Sequence, residues 1–354
     1  MQVFKRVQLG LLLLLGLIFG GLKPAQAQAD GTQNNVGYNI TPVIPKNQIN
    51  KENSFFDLKM KSGQTETLKV RINNISNDDV TVKTAIHTAW TNPTGTIDYV
   101  NNAKYFDASL RYKMSDISRI QGKKTLTIPA GQSKVVTADV KVPKTSMQGV
   151  ILGGWYFKRL DTKVTGKVKG ATNIKSEYSY VLGMKYSLGH APAAVMTLGK
   201  VGATLSNGHQ AVTANLRNTS AVIIPNLKMN TTITNRDSNQ TVMHMKETNK
   251  QMAPNSVFKY PMLFGEKPLK AGNYHLHMVV KNTERDWIFD RDFTITKAQA
   301  DKLNHDSVDN QGLNIWLLIA LGALAMLILV LLILLIIYLI RRRRRDDEDE
   351  DKAK

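Results

Sequence analysis

Apolar and polar residues alternate with a period of two along much of this chain. Leu68, Val70 and Ile72 are separated by Lys69 and Arg71, and Val136, Ala138, Val140 and Val142 by Thr137, Asp139 and Lys141. The longest run sets Tyr178, Tyr180, Leu182, Met184, Tyr186 and Leu188 on one side. Tyr274, Leu276, Met278 and Val280 repeat the pattern. Trp287, Phe289, Phe293 and Ile295 do so again, with Arg291 as the odd member. Side chains of a strand point alternately to its two faces, so each run predicts a strand with one buried and one wet face. Turn signals separate the runs at Ser62-Gly63, Asn92-Pro93, Pro129-Ala130-Gly131, Asn207-Gly208 and Ala271-Gly272-Asn273. This spacing predicts an all-β protein with two immunoglobulin-like β-sandwich domains in tandem, over 30–160 and 177–297. Residues 161–176 are poor in apolar side chains and read as a linker or a long hairpin tip, and 298–312 as a polar stalk.

The two ends break the period. Lys5 and Arg6 precede an apolar run from Leu9 to Leu22, and Ala25 to Ala29 offers two overlapping A-x-A cleavage sites, so 1–29 reads as a signal peptide. Ile315 to Ile340 is 26 residues without a charge. As a helix it spans about 39 Å, enough to cross a hydrocarbon core of roughly 30 Å with some tilt. A single C-terminal transmembrane α-helix is therefore predicted over 313–340. Trp316 and Tyr338 mark its interfaces, and Arg341, Arg342, Arg343, Arg344 and Arg345 hold the tail, 341–354, in the cytoplasm. The intervening residues are then on the outer side of a plasma membrane.

Composition narrows the setting. The chain has no cysteine, so no disulfide staples its exported part, which points away from small secreted animal domains and towards a Gram-positive bacterial surface. Residues 30–312 carry 37 Lys and Arg against 22 Asp and Glu, a net +15. Such a field attracts polyanions over about a Debye length of 8 Å. Outside a cell these are wall polymers such as teichoic acid, not nucleic acid.

Reactive constellations are scarce. Neither H-E-x-x-H nor G-x-S-x-G occurs, and cysteine nucleophiles are excluded. Ser256-Val257-Phe258-Lys259 matches S-x-x-K, but that chemistry needs a helix and a K-T-G strand, and this segment reads as a strand beside Pro254 and Pro261. His275 and His277 share one strand face, a spacing that suits two metal ligands, yet no third ligand is tied to them by sequence. Glu284, Asp286, Asp290 and Asp292 surround Trp287, as paired carboxylates around a sugar-stacking ring would. The alternation instead turns Trp287 to the buried face and the acids to a loop and the wet face. No enzyme, metal or cofactor is expected.

The segment "YNITPVIPKNQINKENSFFDLKMKSGQTETLKVRINNISNDDVTV" resembles the start of the WxL-interacting protein family of Gram-positive cell-surface proteins. The resemblance continues through "TGTIDY", "IPAGQSKVV" and "GVILGGWYF" and covers nearly the whole chain, more weakly in its second half. It implies a peptidoglycan-binding first domain, a host-binding second domain, and a membrane helix with a basic tail. The implied partners are the wall, WxL-domain surface proteins and, for some members, host or matrix proteins. The implied role is a non-enzymatic surface adaptor. The alternatives are a chaperone-like factor that captures a client by strand addition, as "GQTETLKVRINNISNDDVTV" suggests, and a wall-modifying enzyme.

Two stretches supply candidate ligand-binding residues. In 42–64, Pro42 and Pro45 suit an edge, Phe56 and Leu58 face the core, and Gly63 takes a turn. The same segment could instead present the Asn47 and Gln48 amides and the Phe55 ring to wall peptide and sugar, or serve as an interface for the WxL partner. In 89–120, a long run rich in Asn, Tyr and Lys, the candidates are Trp90, Tyr99, Tyr105, Tyr112 and Lys113. There the rival reading is that the rings fill the end of the sandwich.

Overall fold

A computed structural model describes residues 36–103, 105–144, 146–161, 177–265, 267–310 and 315–352. The expected signal peptide, and the expected linker beyond Asp161, lie outside the described residues. The first sandwich contains β1 (Tyr38–Val43), β2 (Phe56–Met60), β3 (Thr65–Asn74), β4 (Val80–Thr88), β5 (Trp90–Thr91), β6 (Ile97–Asp98), the short helix α1 (Met114–Ile117), β7 (Ser118–Ile120), β8 (Thr125–Ile128), β9 (Ser133–Lys141), β10 (Gly149–Arg159) and β11 (Ser179–Leu188). One sheet runs β1-β3-β9-β7 and the facing sheet β2-β11-β10-β4-β8, with β5 and β6 as a separate ribbon. Between the sheets the apolar faces of the alternating strands meet: Leu68, Val70 and Ile72 from one, Trp155, Phe157, Met184 and Tyr186 from the other. Two large polar side chains carried into this core find partners there, as burial demands. The Trp155 indole donates to Thr84 Oγ1 at 2.6 Å, and the Tyr38 hydroxyl to the Phe157 carbonyl at 2.9 Å.

The second sandwich is built from β12 (Met196–Ser206), β13 (His209–Asn218), β14 (Ile224–Asn235), β15 (Thr241–Met252), β16 (Ser256–Leu263), β17 (Gly272–Lys281) and β18 (Asp286–Ile295). Its sheets are ordered β12-β13-β16 and β15-β14-β17-β18. Leu216, Phe258, Tyr260, Ile233, Leu276 and Met278 fill the space between them.

Two segments lie elsewhere than the periodicity suggested. The strand over 179–188, read as the start of the second unit, belongs to the first sandwich. It pairs antiparallel with β10 from Gly149↔Leu188 to Lys158↔Ser179 and parallel with β2 from Met184↔Phe56 to Leu188↔Met60. Alternation reveals that one face is buried but not against which core. Residues 298–310 are not a free stalk. Helix α2 (Lys297–Asp306) opens with a Thr296–Gln299 capping box and sets Ala300 and Leu303 against the second core. Asn304 accepts from the Leu269 N–H and donates to its carbonyl, both at 2.9 Å. Beyond α2, Asp309 accepts from the Gln210 N–H at 3.0 Å and lies 2.6 Å from His209 Nδ1. The His209 contact, with the Gln210 N–H and Ser307, holds the Asp309 carboxyl below the usual carboxylate range.

Helix α3 (Ile315–Lys352) follows and contains a 22-residue apolar span, Leu318–Leu339, none of it buried in the protein. At 1.5 Å per residue this span is about 33 Å long, the thickness of a hydrocarbon core. Trp316 lies just before it and Tyr338 within its last turn, and both are largely exposed. Arg341 to Arg345 continue the same helix.

Candidate functional site

The 42–64 stretch folds back on its own strand. Pro42 lies in β1, an edge strand, where a missing N–H costs no ladder bond on the open side. After the turn at Pro45, residues 47–49 run antiparallel to the free side of β2. Lys59 N–H donates to the Asn47 carbonyl at 2.9 Å, Ile49 N–H to the Asp57 carbonyl at 2.7 Å, and Gln48 bridges to Leu58. Gln48 is buried with its amide fully used. Its Nε2 donates to the carbonyls of Asn50 and Phe55, and its Oε1 accepts from the Asp57 N–H. Asn47 Nδ2 reaches the Lys59 carbonyl and Met60 Sδ at 3.3 and 3.1 Å. Phe55 is half-buried beneath Gly183 and packs on the first core. Phe56 and Leu58 are fully buried, as the alternation predicts.

This fold-back makes one wall of a cleft of about 1270 Å³. Lys59, Met60, Lys61 and Gln64 come from β2 and its turn, Lys46 and Asn47 from the fold-back, and Met147 and Gln148 from the segment before β10. Gly63 has φ +75 in that turn, and a Cβ there would press on Lys144 Cγ at 3.1 Å. Three lysines and no carboxylate line the cleft. Sequence reasoning singled out the amides and passed over the lysines, whose signal was only the general basic excess.

The 89–120 stretch is mostly a joint between the two sandwiches. Thr91 Oγ1 accepts from the Ala253 N–H at 3.0 Å and lies 2.6 Å from Ser256 Oγ. The Gln251 N–H donates to the Gly95 carbonyl at 2.8 Å. Arg217 grips Asp107 with two bonds, of 2.6 and 3.0 Å, and only 1% of the Asp107 side chain is exposed. Burial pushes that carboxyl up, but the Arg217 fork and Ser109 outweigh it and hold it below the usual carboxylate range. Tyr99 packs with Ile97, Val150 and Ile223 around Ala89, Leu152 and Ala253, and burial raises its phenol. Trp90 is half-buried, and its indole donates to the Asn101 carbonyl at 2.8 Å. Tyr112 packs on the first core, and Lys113 Nζ lies 5.0 Å from the Phe106 ring centre. Tyr105 is 71% exposed, with Lys259 Nζ from the second sandwich 4.2 Å above its ring. The eight candidates therefore do not converge. Asn47 and Gln48 line the large cleft, Tyr112 a second one, and the other five line neither.

The histidine pair has partners that the sequence did not disclose. His275 Nδ1 is 2.6 Å from Asp292, and His277 Nδ1 is 2.8 Å from Asp290, each directly across the strand pair. Asp292 raises the His275 imidazole, and the histidines lower Asp290. Arg236 also bonds Asp292. Among the described residues no group of His, Cys, Asp and Glu is fit to hold a metal ion. Trp287 and Phe289 are half-buried against the second core.

No curated protein matches the chain significantly. Among solved structures, similar chains include the class 5 fimbriae chaperone CfaA, 14% identical over 72% of this chain and 98% of that one with a TM-score of 0.29. The E. coli chaperone DraB is 10% identical over 73% and 97%, TM-score 0.26. The Pseudomonas aeruginosa chaperone CupB2 is 9% identical over 66% and 96%, TM-score 0.24. Family models are more informative. Residues 38–159 match the peptidoglycan binding domain, and residues 169–305 the host binding domain, of WxL Interacting Protein. With both family domains matched in order and an apolar helix after them, this chain belongs to the WxL-interacting protein family.

Proposed function

We propose that the protein is a non-enzymatic surface adaptor, fixed in the plasma membrane by α3, whose first sandwich grips peptidoglycan while its second engages a protein. The observation that carries this reading is the cleft at the 46–49 fold-back, whose three lysines lie inside the span that matches a peptidoglycan-binding domain. Lys46, Lys59 and Lys61 face the carboxylates of wall peptides, and Met147 supplies adaptable apolar contact. The protein partner in this reading is a WxL-domain protein, with host or matrix proteins as further ligands of the second sandwich. The five arginines after the span keep the C-terminus cytoplasmic and the sandwiches on the wall side.

The test is co-sedimentation of the detergent-solubilised protein with Gram-positive sacculi, with and without teichoic acid, across a salt series. Binding that persists at high salt on teichoic-acid-free sacculi, and weakens in a Lys59→Gln/Lys61→Gln variant, is expected. Binding that disappears with teichoic acid or with salt would instead assign it to the net positive field. Capture of a purified WxL-domain protein by the same preparation tests the display role.

A further inference from the structure

The large cleft adjoins a second one. Ser146, Met147 and Gln148 line both it and a cleft of about 560 Å³ at the meeting of the two sandwiches. The first sandwich gives this second cleft Leu110, Arg111 and Tyr112, and the other side comes from Pro192, Val195, Thr219 and Asn255. The two clefts together present Lys46, Lys59, Lys61 and Arg111 and not one Asp or Glu. Elsewhere buried carboxylates meet cations, as Asp57 meets Lys185 and Asp107 meets Arg217. Among the described residues none of the four groove cations has a carboxylate partner. Unpaired cations in a concave, acid-free surface focus positive potential on whatever occupies it.

The rest of the lining narrows the occupant. Met147, Leu110 and Val195 give apolar surface, and Gln148 offers an exposed amide without a partner among the described residues. That mixture suits an amide-linked chain with aliphatic side groups better than a bare polyol phosphate, which has little apolar surface to bury. The walls are also fixed in advance. Asn255 Nδ2 donates to Ser109 Oγ and to the Thr219 carbonyl, both at 3.1 Å, and the Val150 N–H donates to the Ala221 carbonyl at 2.7 Å. A groove whose two sides are bonded to each other loses little entropy when it is filled.

We infer that the two clefts act as one groove that seats a single linear, carboxylate-bearing peptide, the chemistry of wall stem peptides, across both sandwiches. The second sandwich then takes part in wall binding and is not reserved for a protein partner. This rests on the reading of the first cleft given above. The lysines take carboxylates at one end of the peptide, Arg111 takes one at the other, and the chain crosses Met147 between them.

The test uses the full chain in detergent and a labelled synthetic cross-linked dimer of stem peptides, followed by fluorescence anisotropy. A second probe has all its carboxylates amidated. Arg111→Gln and Lys59→Gln/Lys61→Gln are each expected to raise Kd about two- to fivefold, the size usual for loss of a solvent-exposed ion pair. Amidation should remove both effects. If Lys59→Gln/Lys61→Gln weakens binding and Arg111→Gln leaves it unchanged, the first cleft binds alone and the two-domain groove is overturned. If neither variant alters the affinity, or the amidated probe binds as well, the reading of the first cleft falls with it. Teichoic acid bound with the same dependence on both ends, and no binding of the peptide, would overturn the peptide assignment.

Discussion

Gln48, one of the candidate ligand residues in the sequence, has its amide engaged with its own backbone in the fold. Its side chain makes three bonds to backbone groups at 50, 55 and 57 and is nearly hidden from water. Gln48→Ala would strand those backbone groups, and an unsatisfied buried polar group costs about 1–3 kcal/mol. We therefore expect a loss of about 2 kcal/mol in urea-induced unfolding, with wall binding altered only as far as the fold-back is disturbed. An unchanged midpoint together with lost binding would make Gln48 a direct ligand. The lysines around it were hard to single out because a basic residue on a strand gives no hint of what lies opposite. Only folding brings Lys46 and Lys59 beside residues a hundred positions away.

At the scale of elements, β10 shows how a strand's glycines serve its neighbours. A Cβ at Gly153 would come within 2.4 Å of the His87 carbonyl and of Met114 Cγ, so α1 and β4 both depend on its absence. Gly153→Ala is expected to cost about 1–3 kcal/mol by overpacking, measured by thermal or urea unfolding, whereas Gly131→Ala, which meets nothing, should cost only its φ strain. Strand existence was legible from alternation, and β3, β9 and β17 lie where it placed them. Strand membership was not legible. β11 carries the longest alternating run and still went to the other core, because the pattern is the same whichever sheet accepts it. Helix α2 was missed for a related reason: its buried stripe, Ala300 with Leu303, is too thin to stand out from polar neighbours.

For the whole molecule, the joint decides whether the two sandwiches act as separate beads or as one body. Asp107 is buried and bound to Arg217 across the joint, and breaking a buried pair by removing the cation leaves an uncompensated charge. Arg217 is itself partly exposed, which moderates the loss, so Arg217→Ala should cost about 2–3 kcal/mol and separate one unfolding transition into two, seen by calorimetry. The pH dependence has a definite sign. Asp107 has its carboxyl lowered in the fold, so its contribution is full well above 3.8 and fades as the pH falls below that value. The Arg217→Ala protein should lack this acid-labile step, and an identical acid profile in both would remove Asp107 from the account. Local order along the chain settled the β-rich class, the turns and the C-terminal apolar helix, since each depends on periodicity, on glycine or proline at a bend, or on an uninterrupted apolar length. It also carried the family resemblance. The partner sheet of β11, the docking of α2, the joint and the acid-free groove depend on which surfaces meet across long sequence separations. Alternation and composition are blind to that choice, and packing in three dimensions makes it.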